Sequence, residues 1–462
     1  MDFKQLQLVK TKTYNAKKLI LKNEVSLKKL DKLFSKFEVF NIPIETILQD
    51  ISSGQSSFNL DLEGSYFLKL NLSLNKIVAE NFVLSSKETQ SSPSVETSTY
   101  SGNLSDDHSS KLRFSIRENH FSGIILRNGT TYCFEPLQRY SNEGNVNSVI
   151  VYQLKDVNGS LEGVCGEVDP SQFLEKVKSG GQNSKMNDTK NLSNCSLIEI
   201  AVAADNSMLT KFGGDTSLVQ TEIIDLLNLA ELLYATAPLE IRYRLVEIYI
   251  ATPDEITLDS ETDGLVILAD FRTFGLTGGF INSFGVATMW TDRDFEFSGS
   301  FSTAGLAYID AICGSYRFNL IEHFPSGVST PAHLSLLYAH ELGHNWGANH
   351  TATNSVNVMS PIIYSTNYTW SATSISDILA KKATSSCLLS CDIPFAHFNA
   401  IDTLICEGST VAFSDTSHGN PTSYQWSFPG GIPSSSTLQN PSVQYNSVGS
   451  YDVKLVISTT AG

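Results

Sequence analysis

One segment constrains this chain more than any other: His340-Glu-Leu-Gly-His344-Asn-Trp-Gly347-Ala-Asn-His350. Ser329 or Thr330 before Pro331 is a helix-start signal, and Leu334, Leu337 and Leu342 supply an apolar packing face, so a helix is predicted from about Pro331 to Trp346. On it His340 and His344 stand one turn apart, so both imidazoles leave the same face and can meet one ion. Glu341 sits beside that face. Gly347 suits the left-handed geometry that ends a helix and turns the chain back. The turn brings His350 round as a third nitrogen ligand. Three histidines leave the fourth tetrahedral position open for water, which marks a catalytic rather than a structural zinc. Chance alone gives this spacing on the order of 10⁻⁵ per chain.

The chain is 462 residues long, which at about 100–200 residues per domain predicts two to four domains. Charged residues are 17% and apolar residues 41%, unlike a disordered chain. A formal charge of −16 without a basic patch argues against a nucleic-acid partner. No apolar run reaches about 18 residues, so no membrane span is expected. The cysteine count is seven, an odd number, so at least one thiol stays unpaired or bridges to another chain. Met1 to Lys36 is lysine-rich and lacks the apolar stretch of a secretory signal, so either the protein is cytosolic or the sequence starts downstream of the real start.

Residues 40 to 165 alternate with period two, as in Tyr66–Leu72, Leu112–Ile116, Gly123–Leu126 and Val149–Tyr152, and read as strands. Asn128-Gly129 between apolar runs is a hairpin signal. The polar, aperiodic stretch 179–194 reads as an interdomain linker. Beyond it, strands at 197–203, 245–250 and 285–290 alternate with helical patterns at 217–234 and from Gly264, which indicates a three-layer α/β core. After Cys391 the helical period vanishes; strands at 410–413, 424–428, 443–445 and 451–457 predict a small all-β sandwich.

These residues resemble the adamalysin/reprolysin family of metzincin zinc metalloproteases. Leu197 to Asp205 is similar to the family's first strand, and Thr288-Met-Trp-Thr291 with Gly305-Leu-Ala-Tyr308 is similar to its edge strand and the segment that follows. Asn357-Val358-Met359-Ser360-Pro361 resembles the Met-turn, in which Met359 is an apolar floor beneath the ligands. Residues 115–137 resemble the reprolysin propeptide, and Val164-Cys165-Gly166 its cysteine switch. The thiol of Cys165 is a soft ligand that would take the fourth zinc position and impose latency. The C-terminal segment resembles a PKD domain, an immunoglobulin-like sandwich.

The resemblance implies a propeptide over 1–178, an activation linker over 179–194, a metzincin catalytic domain over 195–391 (a twisted sheet with helices and a zinc helix) and a PKD domain over 392–462. It implies a disulfide between Cys313 and Cys387, with Cys391 as the competing partner. Two departures stand out: Thr351 follows the third histidine where the family often has Asp, and only Glu199 offers a match to the family's calcium site, which leaves Ca²⁺ unsupported.

The expected activity is a secreted zinc endopeptidase made as a latent zymogen. Glu341 serves as general base, and an activating protease cuts the linker. Substrate would pair with an exposed sheet edge, which the resemblance places at Ala287, Thr288, Met289 and Trp290, with Pro361 and Ile362 walling the primed-side pocket. Protein or peptide substrates are the expected partners, with matrix or cell-surface binding through the PKD segment. The alternative is an extracellular adhesion protein whose zinc domain is inert; the intact Glu341 argues against it.

Overall fold

The computed structural model describes residues 5–7, 12–91, 98–158, 164–170, 195–323, 330–353, 355–362, 368–391, 396, 398–400, 404–415, 417 and 421–458. The linker expected at 179–194 lies outside them. Two compact bodies result: residues 13–190 with 196–389, and residues 1–12 with 191–195 and 390–462. The N-terminal region and the zinc helix therefore share one body.

The N-terminal region is a closed antiparallel barrel, its strands running from Lys12–Lys18 to Ser148–Gln153. Alternation along each strand drives it: in Ser57–Leu62 every second residue is buried, as a sheet with one face on a core requires. Phe40, Phe58, Leu60, Phe114 and Phe134 fill the interior, joined by Ile44 and Ile47 from the helix Ile44–Ser52. The Asn128-Gly129 hairpin forms as read: His120–Arg127 pairs with Thr130–Pro136, and both turn residues have positive φ (50° and 72°).

The second half of this body is a twisted mixed sheet with helices. Its strand order is Val164–Val168, Ser300–Tyr308, Phe318–Glu322, Val286–Thr291, Ser196–Ala204, Ile241–Ile250, Val78–Ser85, Gln90–Ser91. Ser300–Tyr308 runs antiparallel to Phe318–Glu322, while Val286–Thr291 and Ser196–Ala204 run parallel to their neighbours. Both outer flanks of this sheet are capped by strands from before the linker. Val164–Val168 pairs in parallel with Ser300–Tyr308, and Val78–Ser85 pairs in parallel with Ile241–Ile250.

That order corrects one expectation. Ala287, Thr288, Met289 and Trp290 do not form an edge. Val286–Thr291 lies between Ser196–Ala204 and Phe318–Glu322, bonded on both sides and fully buried. Its backbone groups are spent within the sheet, so no substrate strand can add there. Period-two alternation places residues on faces and carries no information about lateral order.

The C-terminal sandwich packs Phe398–Ala400, Thr410–Asp415, Ser442–Tyr445 and Gly431–Ile432 against Ser435–Ser436, Ser423–Ser427 and Lys454–Ser458. Trp426 is core, 1% exposed and stacked on Phe428. Disulfides join Cys313 to Cys387 and Cys195 to Cys391, so Cys391 does not compete for Cys313. Cys133, Cys165 and Cys406 are free thiols. No helix among the described residues is long and apolar enough to cross a membrane.

Candidate metal centre

The helix Pro331–Asn345 starts as its sequence predicts. Thr330 caps it, accepting from the His333 N–H, and Pro331 occupies the first turn. All of its residues are buried, a rigid mount for polar ligands. Gly347 has a φ of +90° and turns the chain back as expected.

The turn gathers three imidazoles. His340 Nε2 lies 3.0 Å from His344 Nε2 and 3.2 Å from His350 Nε2, and the last two are 3.1 Å apart. The other ring nitrogens settle the tautomers: His340 Nδ1 is 2.6 Å from the Val358 carbonyl and His344 Nδ1 is 2.8 Å from the Ala348 carbonyl. A carbonyl only accepts, so each Nδ1 carries the proton and each Nε2 presents its lone pair. Burial, and then the neighbouring imidazoles, push His340 down to about 3 and His344 well below its ordinary value, so both stay neutral. Converging lone pairs repel one another unless a cation lies between them. Nitrogens at about 2.05 Å from a tetrahedral zinc stand about 3.3 Å apart, close to the spacing here. The residues fit a zinc ion, with carbonyls fixing the rings from behind.

Glu341 is fully buried beside this triad, and neither of its oxygens has a hydrogen-bond partner beyond the approach of the Cys165 thiol. Burial pushes its pKa well up. Such a carboxylate is costly unless it serves a ligand. Gly305 makes the room: a Cβ there would meet Glu341 Oε1 at 2.2 Å. The motif's own Gly343 has a parallel purpose, because a Cβ would meet Met359 Sδ at 2.6 Å. Met359, completely buried, thus lies against the helix between the two histidines. Thr351 ties this floor to the third ligand: its N–H donates to the Met359 carbonyl at 2.9 Å and its hydroxyl donates to the same oxygen at 3.1 Å.

Cys165 enters from the flanking strand. Its sulfur lies within 4.8 Å of side-chain donor atoms of both His340 and Glu341. It pairs with Gly305 on one side, and on the other its N–H donates to the Pro361 carbonyl at 3.2 Å. An extended segment therefore already fills the groove between Ser300–Tyr308 and Pro361. Among the expected pocket residues, Pro361 meets this segment, whereas Ala287–Trp290 do not face it as an edge.

Two residues near the site were not singled out from sequence. Gly305 was legible only as part of a resemblance. Glu167, two residues after Cys165, places Oε2 3.3 Å from the His350 N–H nitrogen and 3.8 Å from its Nδ1. Glu199, the match to a calcium ligand, is instead paired with Arg244 at 2.8 Å.

Parts of the chain are similar to known protein families. Residues 194–387 match the model described as metallo-peptidase family M12, of the reprolysin type, and residues 391–462 match the PKD domain model. The chain is 26% identical over 275 residues to a zinc metalloproteinase-disintegrin-like protein of Cerberus rynchops, an alignment covering 58% of this chain and 42% of that protein. The chain thus spans less than half the length of this curated relative. The crystal structure of metalloproteinase-II from Bacteroides fragilis superposes with a TM-score of 0.40 at 14% identity, covering 72% of this chain and 94% of the other.

Proposed function

For a chain that carries a reprolysin-type M12 metallopeptidase domain followed by a PKD domain, we propose a secreted zinc endopeptidase held latent by its own N-terminal region. The observation that carries this reading is the convergence of three Nε2 atoms beside the buried carboxylate of Glu341. His340, His344 and His350 would hold the ion. Zinc bound there supplies Lewis acidity and makes water a usable nucleophile near neutral pH.

The chain's own groups account for the rest. Glu341 takes the proton of the attacking water on a carboxylate oxygen and returns it to the departing amine nitrogen. Gly305 keeps that carboxylate free to approach. The substrate backbone would run along Ser300–Tyr308, the strand that takes over the edge role from Ala287–Trp290. Val164–Val168 occupies that position in the latent chain, with the Cys165 thiol directed at the ion's open position and the activating cut assigned to 179–194. The two disulfides support an oxidising, extracellular setting. For the PKD sandwich we propose an accessory binding role on matrix or cell surface.

The test is cleavage of casein or gelatin by protein cut in the linker and then freed of residues 1–178. Activity that a chelator removes and zinc restores is the expected result. No cleavage in the presence of zinc, by protein freed of residues 1–178, would leave the adhesion reading in its place.

A further inference from the structure

The helix Thr216–Ala235 is buried almost all round, yet it carries Glu222, Asp225, Asn228 and Glu231. Acidic side chains are rarely buried without partners. A spacing of three residues moves each successive group about 60° around a helix axis, so these four form a winding stripe rather than a face. The barrel follows that stripe. Arg139 forms a two-bond fork with Glu222 at 3.1 and 2.7 Å. Arg117 does the same with Asp225 at 2.8 and 2.7 Å, with His120 at 3.2 Å from the same carboxylate. Arg113 reaches Glu231 at 3.2 Å, and Asn75 donates to Glu231 at 2.7 Å and to Asn228 at 2.8 Å. Asn228 in turn donates to the Phe114 carbonyl at 3.1 Å.

Every one of these partners lies before the linker. On the helix's own side, Glu222 also meets His323 and Glu231 meets Arg242. Ile124, Leu137 and Tyr152 of the barrel share an apolar core with Ile223, Leu226 and Leu227 of the helix. Apolar burial of this kind supplies affinity, while forked, desolvated arginine pairs fix register and choice of partner.

We infer that the polar stripe of helix Thr216–Ala235 is a docking surface for the arginine-bearing barrel as a separable protein ligand, with a grip independent of the Cys165 contact. A cut in the linker then leaves two fragments joined, and the arginines set how long they stay so. This goes beyond the reading of the metal centre and does not depend on it, because the readout is association and not hydrolysis.

The test uses the full chain with an engineered protease site within 179–194, cut and then passed through gel filtration at physiological salt. The fragments should co-elute, and should still do so with Cys165→Ala. Immediate separation of the cut wild type would overturn the inference. Arg117→Glu and, separately, Asp225→Arg should each shorten the lifetime of the cut complex at least tenfold, and the double exchange Arg117→Glu/Asp225→Arg should recover most of it. Should one reversed variant fail to fold, the recovered double variant still reports on the pair. Unchanged lifetimes in the single variants, or a double variant no longer-lived than either, would assign the grip to strand pairing alone and overturn the role of the stripe.

Discussion

Gly305 lies directly against Glu341: a side-chain carbon at 305 would come within 2.2 Å of the carboxylate. The strand Ser300–Tyr308 therefore does two things. It pairs with the extended segment in the groove, and its glycine makes room for the carboxylate. Gly305→Ala should lower kcat for peptide hydrolysis by at least about 10²-fold, since a misplacement of about 1 Å has that cost. Bound zinc should remain at one equivalent per chain, as metal analysis beside steady-state kinetics would reveal. Wild-type kcat in this variant would show that the carboxylate has other room.

Gly343→Ala probes the floor beneath the ligands. The new methyl would overlap Met359 Sδ, and overpacking a closed core costs about 1–3 kcal/mol. The expected outcome is a lower melting temperature by several degrees together with weaker zinc retention against a chelator. Replacing Met359 by Ala in the Gly343→Ala background should recover part of the stability.

Cys165→Ala addresses latency. The uncut wild-type chain should be nearly inactive, and the variant should gain activity at least tenfold without any cut. It should stay below the enzyme freed of residues 1–178, because Val164–Val168 still occupies the sheet edge. An uncut variant no more active than wild type would remove the thiol from the inhibitory contact.

The motif was legible because its information is local. A helix places residues four apart on one face, and a glycine turns the chain, so His340, His344 and His350 could be read as one site. The hairpin at Asn128-Gly129 is local in the same sense. The lateral order of the sheet is not, and the edge expected at Ala287–Trp290 rests on resemblance alone, whereas that strand is bonded on both sides. That Val78–Ser85 and Val164–Val168 extend the same sheet on both flanks follows from contacts between residues more than a hundred positions apart. The helix Thr216–Ala235 was expected from its apolar positions alone. Its polar residues at every third position were present in the sequence, but only their arginine partners give them meaning. The helix Ala372–Thr384 carries no motif that marks it in the sequence.

Acid should test the docked barrel. Burial alone would raise the carboxyls of Glu222 and Asp225, but Arg139 with His323, and Arg117 with His120, outweigh it and hold both well below the usual carboxylate range. Glu231 is lowered in the same way by Arg242 and Arg113. A folded value below the unfolded one gives stability that is present above about pH 4 and lost as pH falls through the folded value. The barrel should stay docked at about pH 5 and loosen only well below about pH 4. Glu222→Gln with Asp225→Asn should flatten that acid-side loss, measured as urea midpoints across the acid range. An equally steep loss in the double variant would place the acid-sensitive groups elsewhere.

The central claim is a zinc ion held by three histidines with Glu341 as the proton carrier. Its most direct measurement is zinc content and casein cleavage, made side by side on wild type and Glu341→Ala, each cut in the linker and freed of residues 1–178. One zinc per chain in both proteins, with cleavage lost only from the variant, is the predicted result. Undiminished cleavage by Glu341→Ala, or a wild type that binds no zinc, would contradict it.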